Sequence, residues 1–194
     1  MNRDTELFWW PARVLHWLMA AMVLTMLFVG VGMVASVSAR HSWLLALHKP
    51  LGAAILVLAV LRLILRLWRA PPSLPADLPA LQRIAAQASH WLLYALMLAL
   101  PLVGWAMLSA GGYPVMLSES LRLPAIAPFD ADWFAVLRGL HRVLAYSLFG
   151  LILLHAAAAL YHGLIRRDGV LRSMLWRRRA ATPTAEAPTK QDST

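Results

Sequence analysis

The chain contains no cysteine and little charge: only 14% of its 194 residues are charged and nine are acidic, whereas 60% are hydrophobic. A soluble domain carries about 25% charged residues, so this composition excludes an ordinary cytosolic globule and a disordered chain. The absence of cysteine excludes disulfides, iron–sulfur clusters, thiolate-ligated haem and haem attached covalently at a C-x-x-C-H motif. Any metal must therefore be held by His, Met, Asp or Glu.

The net charge of +9 does not indicate binding to nucleic acid. Nucleic-acid recognition requires basic residues clustered in one patch or stripe. Here the basic residues lie instead at the ends of apolar blocks. The chain is therefore not predicted to bind DNA or RNA.

Four apolar blocks are long enough, or nearly so, for transmembrane helices, which need about 20 mainly apolar residues. The first block is too long for the apolar region of a signal peptide, so it is not predicted to be cleaved. We predict an all-α membrane protein, a bundle of four transmembrane helices, with spans near residues 13–35, 44–67, 86–109 and 138–165.

Positive charge predicts the orientation of this bundle, and composition predicts where its domain ends. With the N-terminus inside, 13 of the 18 Lys and Arg residues lie in inner segments and five in outer segments. Because Lys and Arg concentrate in cytoplasmic loops, both termini are predicted to be cytoplasmic. Residues 1–179 are predicted to form one domain, and the Ala/Thr/Pro-rich residues 180–194 a disordered cytoplasmic tail.

His16, His48, His90, His141 and His155 all lie inside the predicted spans. Such groups at membrane depth indicate function, although a single His is as readily explained by a bond to a helix carbonyl. His141 and His155 are 14 residues apart, which places them on one helix face and about 21 Å apart along the axis. The topology places His48 at the height of His141, and either His16 or His90 at the height of His155.

Two stacked pairs of imidazoles within a helix bundle indicate two haems, each ligated by two histidines. The same step of 14 residues leads from His16 to Gly30 and from His90 to Gly104. Gly52 lies one turn after His48, and glycine lets a backbone approach a large flat ligand. Packing of helices at small residues is an equally good explanation of these three glycines.

Basic residues near each histidine pair have candidate roles of their own. Arg62 lies 14 residues after His48, at a depth where charge is costly, and is predicted to bind the propionates of the inner haem. For Arg66 and Arg69, extension toward lipid headgroups is the preferred explanation. At the outer end Lys49, Arg138 and Arg142 form a predicted cationic collar, which binds propionates or attracts an anionic substrate.

Residues 110–137 form the longest outer segment and a candidate lid.

These residues resemble the bacterial cytochrome b561 family of small four-helix membrane cytochromes. The resemblance covers about residues 10–179 and rests on short motifs in each span. They are His16–Trp17; His48 with Gly52; the run Val-Leu-Arg-Leu-Ile-Leu-Arg at 60–66; His90 with Ala-Leu-Pro-Leu-Val-Gly at 99–104; and His141 with Leu-His-Ala-Ala-Ala-Ala-Leu at 154–160, followed by His162.

The resemblance implies two non-covalent b haems in a multi-pass protein of the bacterial inner membrane. His48 and His141 would ligate the outer haem, and His16 and His155 the inner one. The resemblance thus favours His16 over His90 as the inner ligand. Membrane quinone is the implied substrate. A predicted inner-side quinone site draws on polar residues near the inner haem: Arg69, Arg83, Gln87, His90 and His162.

Three functions are consistent with these sequence features. The first is an oxidoreductase that takes electrons from a periplasmic donor, superoxide in some relatives, and delivers them to quinone. The second is a cytochrome b subunit, or electron acceptor, for a periplasmic dehydrogenase or a small c-type cytochrome. The third is a haem-free structural or transport protein, which is disfavoured because the spans lack Asp and Glu. The oligomeric state is left open between monomer and homodimer.

Overall fold

Four long helices make up most of the described chain. The structure, a computed structural model, describes residues 8–35, 37–70, 72, 75 and 77–175. The helices are α1 (Trp10–Val34), α2 (Ala39–Trp68), α3 (Ala80–Ala110) and α4 (Ala131–Leu160). Each is long and apolar enough to cross a bilayer, so the predicted four-span architecture is confirmed. The predicted tail 180–194 and the end of the predicted domain lie outside the described residues.

Each helix begins three to seven residues before the span predicted for it. The reason is physical: hydropathy detects the part of a helix inside the hydrocarbon core, whereas the hydrogen-bonded turns continue into the interface. Local sequence sets two of these starts. The Ser38 hydroxyl accepts from the Arg40 amide at the start of α2, and the Asp130 carboxylate accepts from the Trp133 amide, 2.8 Å away, at the start of α4.

We call the end of the bundle where α1 begins and α4 finishes the inner end, and the opposite end the outer end. At the inner end α4 continues as a π-helical turn, Tyr161–Arg166, and stops at Arg167 and Gly169, both with positive φ. The short helix α5 (Val170–Met174) then turns back to α1. Trp17 Nε1 donates to the Met174 carbonyl across 2.9 Å, which holds the two segments together.

At the outer end the predicted lid segment folds onto the end of α3. Two short antiparallel strands, β1 (Val115–Met116) and β2 (Arg122–Leu123), form a hairpin in register Val115 with Leu123. Trp105 Nε1 donates to the Pro124 carbonyl at 2.8 Å, and the Ser109 hydroxyl accepts from the Ile126 amide at 3.2 Å. These bonds anchor the segment to α3, and its role as a lid stays a prediction.

Packing within the bundle is uneven. α1 packs along α2, α2 along α3 and α3 along α4, whereas α4 does not pack closely along α1 or α2 within the described residues. An apolar layer closes the middle of the bundle: Val23, Ile55, Leu96, Leu100 and Leu148. Large apolar side chains such as Phe28, 78% exposed, face outward, as expected of helices surrounded by lipid.

Candidate haem-binding sites

The outer pair consists of His48 on α2 and His141 on α4. Their ring centres are 6.2 Å apart, with the ring planes at 64°. The Nδ1 atoms of both rings are buried and have no hydrogen-bond partner among the described residues. A buried polar atom without a partner costs about 1–3 kcal/mol, so such atoms mark places where a residue serves a purpose other than packing. The structure thus brings His48 and His141 together, and their role as ligands stays a prediction.

Gly104 on α3 shapes the outer pair. A Cβ built on Gly104 would lie 3.2 Å from Cε1 of His141 and 3.4 Å from its Nδ1. Glycine therefore lets the His141 ring lie against the α3 backbone. The other predicted glycines have less defined roles: a Cβ on Gly52 would make an ordinary 3.6 Å contact with Met26, and one on Gly30 would meet no described atom within 4 Å.

The inner cluster brings three imidazoles together from three helices. His155 on α4 has its ring centre 6.3 Å from that of His16 on α1 and 5.5 Å from that of His90 on α3. Both candidates that spacing left open are therefore neighbours of His155, and spacing along the sequence was unable to separate them because both lie at the correct height.

The histidine geometry fits haem b. A metal between two imidazoles makes bonds of about 2.0–2.1 Å on each side, so the ring centres then lie roughly 6 Å apart. The pairs His48–His141 and His16–His155 match this separation, whereas His90–His155 is closer. No group of three or more potential metal ligands occurs among the described residues, but haem iron takes only two axial ligands from protein. The loose packing of α4 against α1 and α2 suits a flat group between these helices.

Arg62 lies between three helices at the inner end. Its Nε donates to the Tyr94 hydroxyl at 3.1 Å and its Nη1 to the Ala12 carbonyl at 3.4 Å. The Arg66 guanidinium lies above the rings of Trp91 and Tyr94. Tyr94, buried, was not singled out from the sequence, although its position one turn after His90 was a usable signal.

The three residues of the predicted collar have different surroundings. Arg138 and Arg142 are exposed on α4, one turn apart and beside His141. Lys49 is half-buried, and its Nζ donates to the Pro114 carbonyl at 3.3 Å. Lys49 therefore ties the outer segment to α2, while the two arginines carry the freely accessible charge on this side of the outer pair.

The predicted quinone residues are spread over the inner end. His90 joins the inner cluster, His162 bonds Asp168, and Arg83 donates to the Leu78 carbonyl at 3.4 Å. Gln87 is exposed on α3, and Arg69 stacks on Trp9 at the start of α1. These contacts join the five residues to different partners, and the quinone site stays a prediction.

A compact ionic cluster closes the inner end of α4. His162 Nδ1 lies 2.5 Å from Asp168 Oδ2, and Arg166 donates to the same oxygen at 3.0 Å and to Asp77 at 3.2 Å. Burial acts to raise the pKa of Asp168, but the bonds from His162, the Val170 amide and Arg166 outweigh it, and the pKa falls below its ordinary value of 3.8. Asp168, missed in the sequence, was detectable as one of only nine acidic residues, close after His162.

Comparison with known proteins identifies the family of this chain. The family model described as prokaryotic cytochrome b561 matches residues 7–177. The chain is 33% identical over 138 residues to the probable superoxide oxidase CybB of Yersinia pestis, covering 71% of this chain and 77% of that protein. It is 34% identical over 165 residues to cytochrome b561 homolog 2 of Escherichia coli strain K12, covering 82% and 86%. The chain therefore belongs to the prokaryotic cytochrome b561 family, whose proteins bind haem b and transfer electrons across membranes.

Proposed function

We propose that this protein of the bacterial inner membrane holds two b haems and passes electrons from superoxide on the outer side to membrane quinone. The observation that carries the proposal is the presence of two histidine pairs with ring separations of 6.2 and 6.3 Å. They lie about 21 Å apart along α4, with the apolar layer around Leu148 between them.

In this proposal His48 and His141 would hold the outer haem, and His16 and His155 would hold the inner one. When bound, haem b supplies reversible one-electron transfer. A haem held by two histidines would exchange electrons without binding oxygen, so the residues around it would serve to admit the donor and the acceptor. Arg62, already fixed by Tyr94 and Ala12, has further N–H donors with which to bind a propionate.

Charge at the outer end supports superoxide as the donor. Arg138 and Arg142 place exposed positive charge beside His141, which favours an anion over a neutral or cationic donor. One relative is named a probable superoxide oxidase. The overall reaction balances when two superoxide anions each lose one electron and become O₂, and one quinone takes up two electrons and two protons and becomes quinol.

The inner end supplies residues suited to quinone and its protons. His162, held by Asp168 through Nδ1, keeps Nε2 available for proton exchange. His162 lies seven residues after His155, nearly two helical turns, so it stands between the inner histidine cluster and the inner surface. His90 is available there because it is not an axial ligand in this proposal.

The test combines a cofactor count with a steady-state assay. Acid–acetone extraction followed by a pyridine haemochrome assay should release two equivalents of protohaem per chain. The purified protein should then reduce ubiquinone when superoxide is generated, and the purified mass should distinguish monomer from homodimer. One equivalent of haem contradicts the two-site proposal. Two equivalents without superoxide-dependent quinone reduction would instead favour a cytochrome b subunit that serves a protein donor.

A further inference from the structure

A small cavity at the inner end lies apart from the histidine clusters. It has a volume of about 190 Å³ and is lined by Trp9, Trp68 and Arg69. Trp9 immediately precedes α1, and Trp68 and Arg69 stand at the end of α2. The cavity therefore opens where two transmembrane helices leave the bilayer, at the level that tryptophan side chains and lipid headgroups share.

The arginine in this cavity is held by stacking alone. Its guanidinium carbon lies 5.3 Å from the centre of the Trp9 ring, and no hydrogen bond or ion pair joins its guanidinium to another described residue. Stacking fixes the plane of a guanidinium and leaves its N–H donors at the edge. Arg62 of the same helix differs, because it donates hydrogen bonds to Tyr94 and to the Ala12 carbonyl. Arg66 also stacks on aromatic rings, but these belong to α3 and do not line the cavity.

We propose that Trp9, Trp68 and Arg69 form a binding site for the phosphate group of an anionic phospholipid. A fixed guanidinium recognises phosphate through paired charge-assisted hydrogen bonds. The two indoles provide an apolar wall for the glycerol backbone, and the exposed apolar side chains of α1 and α2 continue toward the acyl chains. The cavity is smaller than the roughly 300–1,000 Å³ of most small-molecule pockets, as suits a headgroup whose tail stays in the bilayer.

Native mass spectrometry of the haem-loaded protein, titrated with phosphatidylglycerol or phosphatidylcholine in detergent, tests this site. We expect the wild type to retain phosphatidylglycerol preferentially, and R69Q to lower its affinity about tenfold, the effect of losing one charge-assisted bond. Arg69→Lys should recover part of the affinity, since lysine keeps the charge but not the planar fork. Arg172→Gln removes an exposed charge from α5 at the same end and serves as the matched control.

Trp9→Leu provides a second route if R69Q fails to elute as folded, haem-loaded protein. It leaves Arg69 in place but removes the ring on which the guanidinium lies, and should also lower phosphatidylglycerol affinity. Equal losses in R69Q and Arg172→Gln would overturn the site in favour of general surface charge. Displacement of the lipid by millimolar inorganic phosphate would overturn the assignment to a lipid and identify free phosphate as the ligand. An unchanged affinity in R69Q and Trp9→Leu would remove the proposal altogether.

Discussion

The histidine rings at the two ends of the bundle have different neighbours. At the outer end His48 and His141 face each other, and their buried Nδ1 atoms have no partner among the described residues. At the inner end His155 has two imidazole neighbours, and Arg62 adds a charge bonded to α1 and α3. At the outer end His141 has one imidazole neighbour, whereas at the inner end His155 has two. The two ends therefore require different experiments.

The largest expected effect is the loss of one haem from each end separately. His141→Ala should remove the outer haem and His155→Ala the inner one, because the two residues lie about 21 Å apart on α4. Each variant should retain about half of the haem absorbance, measured as the pyridine haemochrome per chain. Loss of both haems from a variant that still elutes as folded protein would contradict two independent sites.

A comparison within the inner cluster sharpens the assignment of its ligands. His16→Ala should lose the inner haem, whereas His90→Ala should retain both haems, because only His16 lies at a ring separation that suits a metal between two imidazoles. Low-temperature spectra of both variants report which haem remains. The opposite result would make His90 the ligand and leave His16 as its neighbour.

Sequence spacing offered one neighbour for His141 and two for His155, and the reason is geometric. A step of 14 residues fixes the height and the facing direction of residues on one helix, which is enough when each helix offers one histidine. Nothing in that step says how far apart two different helices stand, so spacing alone does not distinguish His16 from His90. The resemblance to a family, not the spacing, made the choice.

Contacts made by loops and helix ends were beyond the sequence for a related reason. The bond from Lys49 to Pro114 depends on where the outer segment folds, and the cation–π contact of Arg69 with Trp9 depends on how α2 ends beside α1. Neither has a periodic signature. The helices themselves were predictable because an apolar stretch in a membrane must satisfy its backbone hydrogen bonds internally.

A smaller effect, on the rate of the reaction with superoxide, distinguishes exposed charge at the outer end from exposed charge at the inner end. Arg138→Gln should slow the reaction of the protein with superoxide about threefold and flatten the dependence of its rate on ionic strength, since exposed charge steers anions and salt screens it. Arg172→Gln removes the same charge at the inner end and should leave the rate unchanged. Stopped-flow reduction at several salt concentrations measures both. Equal rates for wild type and Arg138→Gln at low salt would argue against steering at the outer end.

The smallest expected effect concerns the ionic cluster around Asp168, which has no counterpart beside the outer pair within the part of the chain that the structure describes. Asp168 accepts bonds from His162, Arg166 and the Val170 amide, and its pKa lies below 3.8 although burial acts to raise it. A carboxyl with a depressed pKa stabilises the fold above its unfolded pKa, and this stabilisation disappears as pH falls through the folded pKa. Asp168→Asn should therefore lower the free energy of unfolding by about 2 kcal/mol at pH 7.

The test is the thermal unfolding midpoint of wild type and Asp168→Asn in detergent between pH 7 and pH 3. The difference between the two proteins should be constant above the ordinary pKa of 3.8 and shrink at lower pH, because protonation removes the charge from the wild type. Asp132→Asn, an exposed carboxylate in the first turn of α4, should change the midpoint less, since an exposed charge at a helix start contributes only about 0.3–1 kcal/mol. A difference that persists undiminished at the lowest pH would show that Asp168 stabilises the inner end by its shape and not by its charge.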